Sequence, residues 1–282
     1  MQPRAQQALR RERFEFGKNW QRFLDVVDER HIRGADQSLK RMLGVETLAG
    51  QRFLDIGSGS GLFSLAARQL GAVVHSFDFD PDSVACTMEL KRRYFPNEPD
   101  WTIDEGSVLD VAYLHSLGAF DVVYAWGVLH HTGQLWQSLQ NALLPVRPGG
   151  SLFVAIYNDR GAESRRWRAI KRLYGRLPRS LRPLLAVTAI LPYELKAGLR
   201  SVFMLRPGEY VRSWTQYDDR RGMSHWRDII DWVGGYPYEV ATPEQVIAFC
   251  GGRGFVLRTL KRTGGLGCNE FVFAHDGPQA ES

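Results

Sequence analysis

Phe53-Leu54-Asp55-Ile56-Gly57-Ser58-Gly59-Ser60-Gly61 decides how this 282-residue chain is read. Phe53, Leu54 and Ile56 supply the apolar residues of a short buried strand. The glycines at 57, 59 and 61 remove side chains where a ligand approaches the backbone. Leu62–Leu70 then has apolar residues three and four apart, which is helical spacing, and Gly71 is placed to stop that helix. Strand, glycine loop and helix follow one another. A glycine turn that binds nothing is the plain alternative, and two details sharpen the choice. The spacing is G-x-G-x-G, with Leu62 where a dinucleotide fingerprint carries its last glycine, which weighs against a nicotinamide oxidoreductase. Asp55 lies inside the strand end, and a buried carboxylate is costly unless it is paired. At the mouth of a glycine loop it calls for a donor or a cation.

At this point the sequence resembles a known family. Asp55-Ile56-Gly57-Ser58-Gly59-Ser60-Gly61 is similar to motif I of the class I S-adenosylmethionine-dependent methyltransferases. The resemblance implies a Rossmann-like α/β fold: a mostly parallel seven-stranded sheet, helices on both faces and an antiparallel last strand. It also implies S-adenosyl-L-methionine as cofactor and S-adenosyl-L-homocysteine as product. By this resemblance Gly57, Ser58, Gly59 and Gly61 pass under the methionine part of the cofactor, and Asp55 reaches its amino group directly or through water.

The next segments extend the pattern. Val73, Val74 and Phe77 read as a second buried strand, ending in an acid about 20 residues past the first glycine, where α/β nucleotide folds place their ribose carboxylate. A carboxylate has two oxygens and can accept from both ribose hydroxyls. The resemblance maps this role onto Asp78, with Phe79 against the adenine. Asp80 and Pro81 read as the N-cap and first residue of a helix. Trp101–Ile103 reads as a third strand. Many family members carry an acid where Ser107 stands, so the adenine amino contact falls to the Ser107 hydroxyl, the Val108 backbone or Asp104.

Phe120–Trp126 is a continuous apolar run, as a central parallel strand requires. Trp126 and Gly127 at its end are assigned to the cofactor. Gly127–Thr132 resembles the family's segment after the fourth strand. Ligands of open α/β sheets bind at the carboxyl ends of the strands, which puts His130 and His131 near the transferred methyl group. With Tyr157, at the end of the fifth strand, they are the candidate catalytic bases. Adjacent histidines point in different directions, so at most one is expected to face substrate; the competing role is a loop histidine holding backbone. The doublet has no metal-ligand partners at useful spacing.

The expected division is an N-terminal helical cap over residues 1–50, a methyltransferase core over 51–158 and 243–275, and an inserted lid or substrate region over 159–242. Trp20 and Asn19 are the cap's candidates for covering the cofactor, against the alternative of a helix packed on the domain edge. The insertion carries a basic stripe of Arg165, Arg166, Arg168, Lys171, Arg172, Arg176, Arg179 and Arg182, with Ile170, Leu173, Leu177, Leu181, Leu184 and Leu185 on an apolar side. Tyr210, Trp214, Tyr217, Trp226, Trp232, Tyr236 and Tyr238 follow. Such a segment suits a helical lid, a basic amphipathic surface for peripheral membrane contact or, ranked last, a nucleic-acid patch.

Composition bounds the rest. The apolar fraction is 44% and the formal net charge +5, an ordinary globular balance with mild basicity. Cys86, Cys250 and Cys268 are odd in number and far apart, so neither a disulfide framework nor a zinc site is expected, and a reducing cytoplasm is the default. The first residues lack an apolar signal core. Oligomeric state has no signature here. The expected function is S-adenosylmethionine-dependent methyl transfer to a small-molecule acceptor, natural-product or lipid-like. The alternatives are methyl transfer to nucleic acid and a cofactor-binding, non-catalytic partner protein.

Overall fold

The computed structural model describes residues 27–204 and 225–276, together with Leu24 and Gly208. Trp20, Asn19, Tyr210, Trp214 and Tyr217 lie outside these residues. The described chain falls into two units, one over 161–238 and the other made of the residues before and after it.

In chain order the helices are α1 (Glu29–Leu43), α2 (Leu62–Gln69), α3 (Pro81–Tyr94), α4 (Val111–Ser116), α5 (Leu135–Leu143), α6 (Ala162–Arg176), α7 (Arg182–Phe203), α8 (His225–Gly234) and α9 (Pro243–Gly251). The strands are β1 (Arg52–Ile56), β2 (Val73–Asp78), β3 (Trp101–Glu105), β4 (Phe120–Trp126), β5 (Val146–Tyr157), β6 (Phe255–Lys261) and β7 (Cys268–His275). They form one sheet in the order β3-β2-β1-β4-β5-β7-β6. Neighbours from β3 to β5 are parallel. β7 runs antiparallel to both β5 and β6.

Alternation along the strands sends side chains to two apolar layers. On one face Phe53, Tyr124 and Phe153 pack with Ile32 and Leu39 of α1, Leu65 of α2 and Leu90 of α3. On the other, Leu54, Val123 and Val154 pack with Leu114, Leu139 and Val246 of α4, α5 and α9. Residues 27–50 are thus part of a core layer. Local chemistry fixes the helix ends. Asp28 and His31 form a capping box on α1, and Gly44 closes it at φ +69°. Asp80 caps α3 with Pro81 behind it, and Thr242 with Gln245 boxes α9.

In the 161–238 unit, α6 turns Ser164, Trp167, Lys171 and Tyr174 inward at spacings of three and four. Lys171 therefore leaves the solvated basic stripe the sequence suggested. It is buried, donates to the Trp232 carbonyl, and sits 4.2 Å from the Trp232 ring centroid and 5.0 Å from that of Tyr238. Cation–π attraction partly replaces lost water, yet burial still pulls its pKa down to about 7. Leu173, expected on the packed side, is exposed.

Candidate active site

The strand order reverses between β1 and β4, and the crevice outside such a reversal is where open α/β sheets bind ligands. The carboxyl ends of β1, β2, β4 and β5 bring Asp55, Asp78, Trp126 and Tyr157 to that end of the sheet. The glycine loop leaves β1 here. Gly57 has φ +72°, and a Cβ on it would stand 2.5 Å from Val128 Cγ2. Gly61 has φ +80°, and its Cβ would stand 2.9 Å from Thr87 Cγ2. At these two positions glycine is required by left-handed backbone and by packing of the loop on its own protein neighbours. Ser58 Oγ bonds Thr87 Oγ1 at 3.0 Å and ties the loop to α3.

Asp78 is the loop's anchor. Its Oδ2 accepts the Gly59 N–H at 3.0 Å and its Oδ1 the Asp80 N–H at 2.9 Å. Burial nevertheless raises its pKa to about 6, with those backbone donors pulling the other way. Asp55 is buried more completely. Ser64 Oγ donates to its Oδ2 at 2.5 Å, Ser64 and Ser76 share a bond of 2.7 Å, and Trp101 Nε1 donates to Ser76 Oγ at 2.9 Å. An indole N–H can only donate and a carboxylate can only accept. Those two ends orient the chain of hydroxyls from Trp101 through Ser76 and Ser64 to Asp55. Burial raises the Asp55 pKa to about 7; the Ser64 bond opposes this and the Asp78 charge adds to it. Among the described residues no lysine or arginine contributes to either shift. Two buried acids without a cation form a site of negative potential at the glycine loop. That suits a ligand bringing an ammonium group and hydroxyls, and repels a pyrophosphate.

The adenine candidates resolve differently. Asp104 is engaged with His75 at 3.1 Å. The Ser107 hydroxyl accepts from the Leu109 N–H at 3.2 Å and keeps its own proton to donate. Val108 is buried in the core and Phe79 half-buried. Trp126 is 43% exposed beside Gly127, whose φ is +77°.

His130 and His131 stand on a single 3-10 turn, Leu129–His131. His130 is fully buried and His131 half-buried. The two rings do not diverge: their centroids are 4.6 Å apart, and both pack on Tyr157, at 4.0 Å for His130 and 5.5 Å for His131. The three candidate bases thus make one ring cluster joining β4's exit to the end of β5. The Glu239 N–H donates to the His130 carbonyl, and Glu239 Oε2 accepts the Leu135 N–H, fixing this turn against the start of α5. Asn158, next to Tyr157, spends its side chain on structure, bonding the Gly265 carbonyl and Asn269 Nδ2. Sequence reasoning missed the Ser64–Ser76–Trp101 chain. Its signal was small polar residues at core-facing positions of α2 and β2.

Residues 27–193 match the family model described as a methyltransferase domain. A ubiquinone biosynthesis O-methyltransferase of Xanthomonas oryzae pv. oryzae is 32% identical over 111 residues, 39% of this chain and 45% of that protein. The same-named protein of a Methylobacterium species is 30% identical over 116 residues, again 45% of its length. The matched region thus spans about half the length of these relatives. Among solved structures, magnesium protoporphyrin IX methyltransferase from Synechocystis PCC 6803 with bound SAH aligns over 92% of this chain and 94% of its own, at TM-score 0.54 and 13% identity. The 1,6-didemethyltoxoflavin-N1-methyltransferase of Burkholderia thailandensis aligns over 98% and 91%, at TM-score 0.51 and 15% identity. These two likenesses speak to the fold.

Proposed function

We infer the function from one premise: the chain belongs to the class I S-adenosylmethionine-dependent methyltransferase family. It transfers the methyl group of S-adenosylmethionine to a small-molecule acceptor. The observation that carries this is the pair of buried acids, Asp55 and Asp78, flanking the glycine loop without a cationic partner among the described residues. The residues fit the cofactor: Asp78 has acceptor capacity left for a ribose diol, and Asp55 is poised for an ammonium group. Ser107 and the Val108 backbone would hold the adenine, Phe79 and Trp126 would flank the ligand, and Ser58, Gly59 and Gly127 would line its path, while Gly57 and Gly61 set the shape of the loop. When bound, the cofactor supplies a methyl group on sulfur that is already activated for transfer.

The protein's own work is positioning and proton handling. His131 is half-buried and in reach of solvent, so it can take a proton from the acceptor and release it. His130, enclosed between His131 and Tyr157, holds the His131 ring in place. The small-molecule acceptor is supported by the names of the relatives. The test is transfer of labelled methyl to a panel of hydroxylated aromatic compounds, with bulk RNA and DNA alongside. Label on a small molecule and none on nucleic acid is expected; label on nucleic acid alone would overturn the assignment. His131→Ala should lower kcat about 100-fold or more and leave cofactor affinity within twofold. An unchanged kcat would remove His131 as the base.

A further inference from the structure

We propose that α7 is a docking surface for an anionic membrane. The helix is apolar on two opposite sides. At about 100° per residue, Leu184, Leu191, Leu195 and Val202 fall within roughly 20° of one line along it, with Val187 and Leu199 within roughly 60°. All six are exposed, Leu184 at 63% and Leu199 at 71%, and Phe203 beyond them at 93%. The far side carries the packing within the 161–238 unit. Ala186 is buried there, and the Tyr193 hydroxyl accepts from Trp167 Nε1 at 3.1 Å, with the two ring centroids 5.8 Å apart. The exposed stripe is therefore not a packing face turned outward by chance; the helix already has one. A helix of 22 residues leaves this stripe about 30 Å long. Contiguous exposed apolar surface of that extent marks an interaction site.

Charge selects the occupant. Residues 161–204 carry ten lysines and arginines against two glutamates, more positive charge than the net +5 of the whole chain. The remainder of the protein is accordingly net acidic. Arg165, Arg166, Arg168, Arg172, Arg176 and Arg179 of this stretch are exposed, as are Lys196 and Arg200, which lie roughly 120° and 160° round α7 from the line of the stripe. Self-association through α7 would bring these like charges together. A nucleic acid would meet leucine and valine where it needs aromatic stacking partners. A bilayer carrying anionic lipid matches both features, the apolar stripe facing acyl chains and the exposed basic residues of α6 and of the other side of α7 facing headgroups. Among the described residues no helix is long and apolar enough to cross a membrane, so the helix lies in the interface plane.

The experiment is co-sedimentation of the full chain with vesicles of phosphatidylcholine alone or mixed with phosphatidylglycerol, at low and high salt. Binding is expected only with phosphatidylglycerol, weakened by salt. The triple variant Leu191→Ser, Leu195→Ser, Leu199→Ser and the double variant Lys196→Glu, Arg200→Glu should each lower partitioning about tenfold or more. Both change exposed positions, and circular dichroism checks that they fold. Sedimentation velocity of the same proteins, without lipid, tests self-association. The proposal falls if the wild-type chain ignores anionic vesicles, or if both variants bind as it does. It falls equally if the leucine variant abolishes a dimer of a chain that does not bind lipid.

Discussion

Asp78→Ala separates holding the loop from holding a ligand. In the free protein the carboxylate is an expense: its pKa is raised from 3.8 to about 6 by burial. At neutral pH that costs on the order of 2 kcal/mol, after discounting for the part open to water. Removing it strands the Gly59 and Asp80 N–H groups, at about 1 kcal/mol each. The two effects are of similar size and opposite sign, so thermal stability should move little. Ligand binding has no such compensation. Ribose hydroxyls left without their acceptor cost roughly 1–3 kcal/mol, or about 5–150-fold in the Kd for S-adenosylmethionine. The raised pKa adds a signature. The ionised form is the double acceptor, so wild-type affinity should climb as pH rises through about 6, ahead of a further rise near 7 as Asp55 ionises. Affinity of the variant should lack that step. Calorimetric titration between pH 5 and pH 8 measures both. A variant that binds within twofold of wild type, with the same pH profile, would refute the role of Asp78.

The remaining expectations concern the same scaffold. Gly57→Ala forces a side chain onto left-handed backbone and into Val128, so it should cost roughly 2–4 kcal/mol in thermal melts. Adding Val128→Ala should return the overlap part alone; no destabilisation by Gly57→Ala would disprove the close approach. Ser64→Ala removes a donor that holds the Asp55 pKa down, so that pKa should rise above about 7, visible in the carboxyl carbon shift of labelled protein. An unmoved titration would break the proposed chain. Lys171 titrates near 7 folded and near its usual 10.5 unfolded. The unfolded state therefore binds more protons between those values, and its charged burial penalty is relieved as pH rises. The stability advantage of Lys171→Met over wild type should shrink by about 4 kcal/mol from pH 6 to pH 10 in urea titrations. A constant difference would show that Lys171 titrates normally.

The sheet was legible because its strands carry their own evidence. Phe53, Leu54 and Ile56 and the run Phe120–Trp126 suit buried parallel strands, and Asp80-Pro81 starts a helix by local chemistry. The seven strands and the antiparallel last one were what the resemblance to the methyltransferase family implied, and the sheet has them. The glycines were legible as a loop but not in purpose, because their contacts with Val128 and Thr87 lie in segments 71 and 26 residues away. For the same reason the meeting of His130, His131 and Tyr157 could not be read from residues 26 apart in the chain. Residues 161–238 misled most. On α6 a lysine faces inward and Leu173 outward, because a box of Trp167, Trp232 and Tyr238 accepts the cation. Polarity alone assigns those faces the other way round.

The central claim is that two buried acids at the glycine loop, without a cationic partner among the described residues, select S-adenosylmethionine. The most direct measurement is parallel calorimetric titration of the full chain with S-adenosylmethionine, S-adenosylhomocysteine and NAD. Micromolar binding of both adenosyl ligands and no heat from NAD is the expected result. Binding of NAD, or heat from none of the three, would contradict it.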